Sequence, residues 1–326
     1  MKVQIRPFQD DDRYAIAEIH NHILPDEPMD VEQMHHADAT WDATRYTLVR
    51  LVAQSPAGAV VGWGQISHWT WFFHPQRFGL RLEVDPAFHG QGIGSALYAH
   101  LLDELRACDA VLVRTDTPEF LISSIRFLKN RGFHEVDRTW DSHLDISRFD
   151  FGPFVGAEER VAREGITITT LAAEHASDPT TQGKVYELFT VAEQDEPSLD
   201  PMTPLPLSEF VTREIEDPVV IPEAFFLACD GKRFIGMSSL QRLPPMTDVV
   251  DSGFTGVHPD YRGRGVALAL KLRSIHYASE HGYREIRTSN SARNEPMLRI
   301  NVGLGFVRRP AGITFEKTLA DRERCG

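Results

Sequence analysis

Two short stretches of this chain have the residue types and spacing to hold a phosphate group. Residues 84–94 read VDPAFHGQGIG and residues 257–267 read VHPDYRGRGVA. In each, a Val-x-Pro precedes closely spaced small residues, and an apolar helical pattern follows. A strand that turns directly into a helix leaves the N–H groups of the first helical turn without intrahelical acceptors. The helix dipole adds partial positive charge at the same point, so the junction suits an anion such as a pyrophosphate. Small residues let that anion approach the backbone. The candidates are Val84, Gln91, Gly92 and Gly94 in the first stretch. In the second they are Val257, Arg262, Gly263, Arg264, Gly265, Val266 and Ala267. The third glycine of a dinucleotide fingerprint is missing, and so is the Gly-Lys-Ser/Thr of a P-loop.

The elements that must position these turns occur twice. Val84 and Val257 are 173 positions apart (257 minus 84), and Gly92 and Gly265 keep that offset. Gly132-Phe133 and Gly305-Phe306 keep it as well, which predicts two copies of one domain. A length of 326 residues suits two domains of about 150 each. The expected division is 1–152, a linker at 153–165, and 166–326. In the first copy, strands are predicted at 3–6, 47–53, 59–67, 78–84 and 110–115, with a hairpin turn at Ser55-Pro56-Ala57-Gly58. Ile93, Leu97, Leu101 and Leu105 repeat every four residues and predict the buried stripe of a helix. In the second copy, 224–230 and 234–240 flank Gly231 as a hairpin, and 249–257 leads into the second turn. Leu268, Leu272 and Ile275 then mark a helix.

These residues resemble those of the GNAT N-acetyltransferases. Arg262-Gly263-Arg264-Gly265-Val266-Ala267 fits the family's Q/R-x-x-G-x-G/A acyl-CoA signature. The stretch TSNSARNEPMLRINVGLGF at 288–306 is similar to its last conserved stretch, where an Asn (here Asn294) precedes a helix and a Gly-Phe. The resemblance covers both halves, so it implies an α/β chain of two tandem domains, each a mixed, mostly antiparallel sheet flanked by helices. It further implies acetyl-CoA as co-substrate, with the pyrophosphate on the glycine turn and the pantetheine arm between two splayed strands. An amine would attack the thioester directly, with the Val257 N–H placed for the thioester oxygen. Some relatives keep a carboxylate base six residues before this Val, which is Asp251 here. The usual acid for the thiolate is a Tyr seven residues after the motif Asn, and that position holds Asn301. The first half departs further, with His89 at the Arg262 position, Leu121 at that of Asn294 and Leu128 at that of Asn301. Catalysis is therefore expected in the second half. The expected acceptor is a small-molecule amine. A protein or peptide amine, and a silent acyl-CoA-binding protein, remain the alternatives.

Composition bounds the rest. Hydrophobic residues make up 42% and charged residues 25%, as in ordinary globular domains, and the net charge of −13 argues against a general nucleic-acid binder. Cys108, Cys229 and Cys325 form neither a disulfide framework nor a CxxC pair, and suit a reducing compartment. MKVQIRPF lacks the apolar run of a signal peptide, and no run reaches membrane-spanning length. A cytoplasmic protein is expected, without membrane or metal partner. His20, His22, His35 and His36 do not complete a ligand set. The aromatic run His68–His74 suits an acceptor wall or a domain interface. Asp26-Glu27-Pro28 and Asp195-Glu196-Pro197 suit either acceptor loops or ordinary turns.

Overall fold

The structure is a computed structural model that describes residues 2–319, and the chain divides into two compact units. Unit 1 takes the chain up to Arg138, the segment Asp200–Thr203 and the chain from Gly312. Unit 2 takes Thr139–Leu199 and Pro204–Ala311. In chain order, unit 1 contributes β1 (Gln4–Pro7), α1 (Asp12–Ile23), α2 (Val31–Ala39), β2 (Leu48–Gln54), β3 (Val60–Ser67), β4 (Arg77–Val84), α3 (Ile93–Ala107), β5 (Leu112–Pro118) and α4 (Ile122–Lys129). β6 (His134–Asp145) begins in unit 1 and ends in unit 2. Unit 2 continues with α5 (Ala157–Arg163), β7 (Ile166–Thr170), α6 (Leu171–Ser177), α7 (Thr181–Glu193), α8 (Leu207–Phe210), β8 (Val220–Asp230) and β9 (Arg233–Leu243). β10 (Met246–Val257), α9 (Val266–Glu280), β11 (Glu285–Ser291), α10 (Glu295–Gly303) and β12 (Val307–Arg308) complete it. The last strand, β13 (Gly312–Thr318), belongs to unit 1.

Each unit is built on a mixed, mostly antiparallel sheet, as the sequence led us to expect. Unit 1 runs β1-β2-β3-β4-β5-β13 with one parallel pair, β4–β5. Unit 2 runs from the end of β6 through β11-β10-β9-β8-β7, again with one parallel pair, β10–β11. The long strand that closes each repeat is thus exchanged. β13 follows Gly305-Phe306 and the short β12, which pairs with β6 in unit 2, yet β13 pairs with β5 of unit 1, while the β6 residues after Arg138 pair with β11 of unit 2.

The predicted stripe of α3 is buried, with Ile93, Leu97, Leu101 and Leu105 all at 2% exposure or less. Gly64 of β3 lets this helix come close, since a Cβ there would lie 2.6 Å from Leu101 Cδ1. Gly236 does the same for α9, where a Cβ would meet Val266 at 2.9 Å. The stretch expected as a linker, 153–165, contains α5, whose Ala157 and Val161 are buried in the unit 2 core. Such a short run gave no long apolar period to read. Cys108 and Cys229 are free thiols, and Cys325 lies outside the described residues. No helix among the described residues is long and apolar enough to cross a membrane.

Candidate active site

In both units the parallel pair is short. β10 and β11 are in register at Val249/Glu285, Val250/Ile286 and Asp251/Arg287 only, although both strands run on. β4 and β5 match this at Arg77/Leu112, Phe78/Val113 and Gly79/Arg114. Beyond these pairs the strands part and leave two facing backbone edges, where an extended ligand with amide groups can pair as a strand would. The edge of β10 is turned the right way. The His258 N–H bonds Ile235 O of β9 at 2.8 Å, and successive residues alternate, so the Val257 N–H faces the gap. The Asp85 N–H bonds Val61 O at 3.1 Å, which turns the Val84 N–H into the gap of unit 1.

At the end of each gap lies a glycine turn. Gly263 and Gly265 have φ of +74° and +84°, and Gly90 and Gly92 have +74° and +83°. The second turn glycine of unit 1 is therefore Gly90, which the sequence reading did not single out. Gly94, like Ala267, sits in the first turn of its helix. At all four left-handed positions a Cβ would meet nothing within 4 Å, so an anion has room to reach the backbone. The open turn, the helix N-terminus and the inward Val257 N–H together fit a pyrophosphate with a pantetheine arm.

The arginines of the second turn are partly committed to the fold. Arg262 Nε donates to Val257 O at 2.9 Å, and its other nitrogens bond Asp195 and Ala192 O. His89 does the same in unit 1, with Nε2 donating to Val84 O at 2.7 Å. The first signature position thus braces the turn through its own strand, and histidine suffices for that. Arg264 lies more open, over the Tyr261 ring at 5.0 Å.

Asp251 is the last paired residue of β10 before the gap. Val250 packs into the core that contains α9, and Ser252 accepts from a residue of α9, so alternation turns Asp251 to the opposite face. Burial pushes its carboxyl up to about 6, with Lys271 and Arg287 opposing the shift and Asp141 adding to it. The β10–β9 register changes between Ser252/Leu240 and Thr255/Ser238, so β10 has one extra residue there, a bulge. Unit 1 has none, since β3–β4 runs evenly from Gly62/Val84 to Ser67/Gly79. The extra residue changes the alignment of the halves. A constant offset pairs Asp251 with Phe78, but the strand register pairs Val250 with Phe78 and Asp251 with Gly79.

The unit 1 position is filled. Trp69 covers Gly79, where a Cβ would lie 3.0 Å from Nε1. Asp200 bonds both Arg77 and Arg114, and Arg114 Nε donates to Glu316 Oε2 at 2.6 Å. The aromatic run 68–74 therefore packs within unit 1: His68 stacks on Phe78 at 4.3 Å and Phe73 packs edge-on to Tyr46. Glu83 is occupied as well. Burial raises its carboxyl, but His20 and Arg81 outweigh that and hold it below the usual range, and Trp63 Nε1 donates to it at 3.0 Å.

The sequence reading missed Glu193, at the end of α7. This helix lies along the Asp251 face, where Phe189 packs on Phe254 at 4.7 Å. Glu193 is 8% exposed. Burial and the charge of Glu196 push it up to about 7, and burial raises Glu196 also. On the other face, Lys271 of α9 is 4% exposed and Asn301 of α10 is 1% exposed. Asn301 Nδ2 donates to Asn290 Oδ1 at 2.7 Å, while its buried Oδ1 has no partner among the described residues. Asn294 caps α10 by accepting from the Met297 N–H at 3.3 Å. Leu121 takes nearly the same backbone angles before α4 and offers no side-chain cap.

Two open-edged sheets ending in glycine turns define an acyl-transferase architecture, and the family comparison agrees. The model of the Acetyltransferase (GNAT) family matches residues 14–133 and 185–306. The chain belongs to that family, a tandem acetyltransferase for which acetyl-CoA is the co-substrate. Two relatives, both mycothiol acetyltransferases, are 26% identical. That of Rhodococcus opacus (strain B4) matches over 276 residues, 82% of this chain and 83% of the relative. That of Rhodococcus jostii (strain RHA1) matches over 274 residues with the same coverage. Among solved structures, a tandem GNAT protein from the clavulanic acid biosynthesis pathway superposes with a TM-score of 0.74 at 20% identity, covering 97% of this chain and 98% of that one. A GCN5-related N-acetyltransferase from Sphaerobacter thermophilus gives 0.70 at 18% identity, covering 97% and 95%. At these identities the likeness is one of fold.

Proposed function

We propose that this protein N-acetylates a primary amine of a small molecule, and that unit 2 does the chemistry. One observation carries the choice of unit: Asp251 stands where β10 and β11 part, held near neutrality, while Gly79 and Trp69 occupy the matching place in unit 1. Acetyl-CoA supplies an activated acyl carbon. The backbone of Gly263–Ala267 holds the pyrophosphate with Arg264 as counter-charge, and the Val257 N–H pairs with an amide of the pantetheine arm rather than with the acyl oxygen, so that the acyl group reaches the level of Asp251. Asp251 removes the proton from the attacking ammonium. Glu193, Asp195 and Glu196 make the approach acidic and favour a cationic acceptor. The mycothiol acetyltransferase relatives support a small acceptor. The test is release of free thiol from acetyl-CoA against a panel of small amines and lysine peptides. Small amines should be turned over, and Asp251→Asn should abolish that. Turnover of peptides alone would overturn the acceptor class, and full activity of both Asp251→Asn and Glu193→Gln would overturn the choice of unit.

A further inference from the structure

Lys271 is an unusual residue to find in a core. It lies midway along α9, 4% exposed, among Leu270, Leu272 and Ile275. No carboxylate lies within ion-pair distance of it among the described residues. Its one hydrogen bond among the described residues runs to Ser252 Oγ at 3.3 Å, and the Phe306 ring lies 5.6 Å from Nζ. A buried cation without an ion-pair partner costs stability, so structure alone gives no reason to keep it.

Its position gives one. Ser252 is the first residue of β10 beyond the last pair with β11, so the Lys271 head sits at the apex of the gap. It lies on the face that carries α9 and its glycine turn. Asn301 is close by on the same side, since the Phe306 N–H bonds Asn301 O at 3.0 Å. From Val257 back to Ser252 is about 17 Å of strand, at about 3.3 Å per residue, comparable with an extended pantetheine arm. A sulfur carried on that arm reaches the Ser252–Lys271 level. Asn301 has no acidic proton to give.

We propose that Lys271 is the general acid that protonates the departing thiolate, oriented by Ser252. This rests on the acetyl transfer proposed above. The bound ammonium first gives one proton to Asp251, which releases it to solvent; as the neutral amine nitrogen then bonds to the acyl carbon, Asp251 takes the second proton from that nitrogen. The carbon–sulfur bond breaks with its electron pair going to sulfur, and Lys271 gives that sulfur a proton. Lys271 is then neutral and Asp251 protonated; loss of the Asp251 proton to solvent and uptake of a proton by Lys271 restore both. The unpaired Oδ1 of Asn301 is an acceptor for the new S–H. Burial lowers Lys271 to about 8, with Asp251 of β10 opposing the shift. Arg287 of β11 and Asp141 of β6 act on Asp251 in turn. An ammonium held near 8 can release its proton at neutral pH, as a solvated lysine cannot.

The test reads the ionisation of the CoA thiol, by thiolate ultraviolet absorbance of bound CoA against pH, and needs no acceptor. The wild type should lower the thiol pKa by at least one unit relative to free CoA. Lys271→Met should abolish that lowering, keep CoA affinity within threefold and raise Tm at pH 7. With a turned-over amine its kcat should fall at least a hundredfold. Lys271→Arg should keep the lowering, because the charge stays, yet remain slow, because arginine does not give up its proton. No lowering in the wild type, equal lowering in Lys271→Met, or kcat of either variant within threefold of wild type would overturn the assignment. A lowered thiol pKa that depends on Lys271, with no amine turned over, would support Lys271 and remove the acetyl-transfer reading instead.

Discussion

Asp251 and Glu193 show how one physical effect produces two candidates of different standing. Burial raises both, to about 6 and about 7, but only Asp251 stands at the point where the two strands part. Asp251→Asn should lower kcat at least a hundredfold, within the 10²–10⁴ typical of a lost base, and leave CoA affinity intact by calorimetry. Because the carboxylate is the working form, wild-type kcat should fall on the acid side with an apparent pKa of about 6. The same shift acts on stability. The folded pKa lies above the ordinary value of 3.8, so the folded state binds the extra proton and stability declines as pH rises from about 4 to about 6. Asp251→Asn should therefore raise Tm at pH 7 and lose that gain below pH 4. Glu193→Gln should raise KM for a cationic amine more than it lowers kcat. A hundredfold fall in kcat for Glu193→Gln, with Asp251→Asn near wild type, would make Glu193 the base. Asp251 was legible in the sequence through its fixed distance from Val257. Glu193 was not, because a carboxylate at a helix end is ordinary until packing buries it.

The glycine turns were the most legible elements, because strand, turn and helix are contiguous and their signal is local. Gly263→Ala should cost about 1 kcal/mol of stability through its positive φ and little CoA affinity, since a Cβ there meets nothing. Gly263→Glu adds a carboxylate to the phosphate site and should weaken CoA at least tenfold, or about 1.4 kcal/mol. Equal affinity of the two variants would show that the turn does not hold the pyrophosphate. The turns of the two units are alike in backbone, so the inequality between units comes from what flanks them: the β10 bulge, the Asn294 cap, and Trp69 over Gly79. Gly265→Glu should accordingly abolish turnover, while Gly92→Glu should leave most of it. The opposite result would move catalysis to unit 1. None of these flanking features is a motif. A one-residue bulge is invisible in a repeat aligned by constant offset, and so the partner of Asp251 read as Phe78 rather than Gly79.

The exchange of final strands makes the two units interdependent, and this was the least legible property of the chain. Sequence order ties β6 to the first repeat and β13 to the second, and strand pairing between residues so far apart, such as Thr318 with Leu112, leaves no local trace. It has a direct energetic consequence. β13 brings Ile313 and Phe315, at 3% and 0% exposure, into the unit 1 core, and Leu319 follows at 1%. Losing one large core side chain typically costs about 2–5 kcal/mol, against a total of about 5–15 kcal/mol for a domain. A segment ending at residue 152 lacks all three and leaves the β5 edge unpaired. A segment starting at residue 153 lacks the β6 residues that pair with β11, and with them Leu144 of the unit 2 core. We therefore expect neither 1–152 nor 153–326 alone to unfold with a cooperative thermal transition by circular dichroism. Co-expressed, the two segments should copurify as a one-to-one complex and recover a cooperative transition, because each then supplies the strand that the other lacks. A sharp, reversible melt of 1–152 alone, together with failure of the two segments to copurify, would show that each repeat keeps its own last strand.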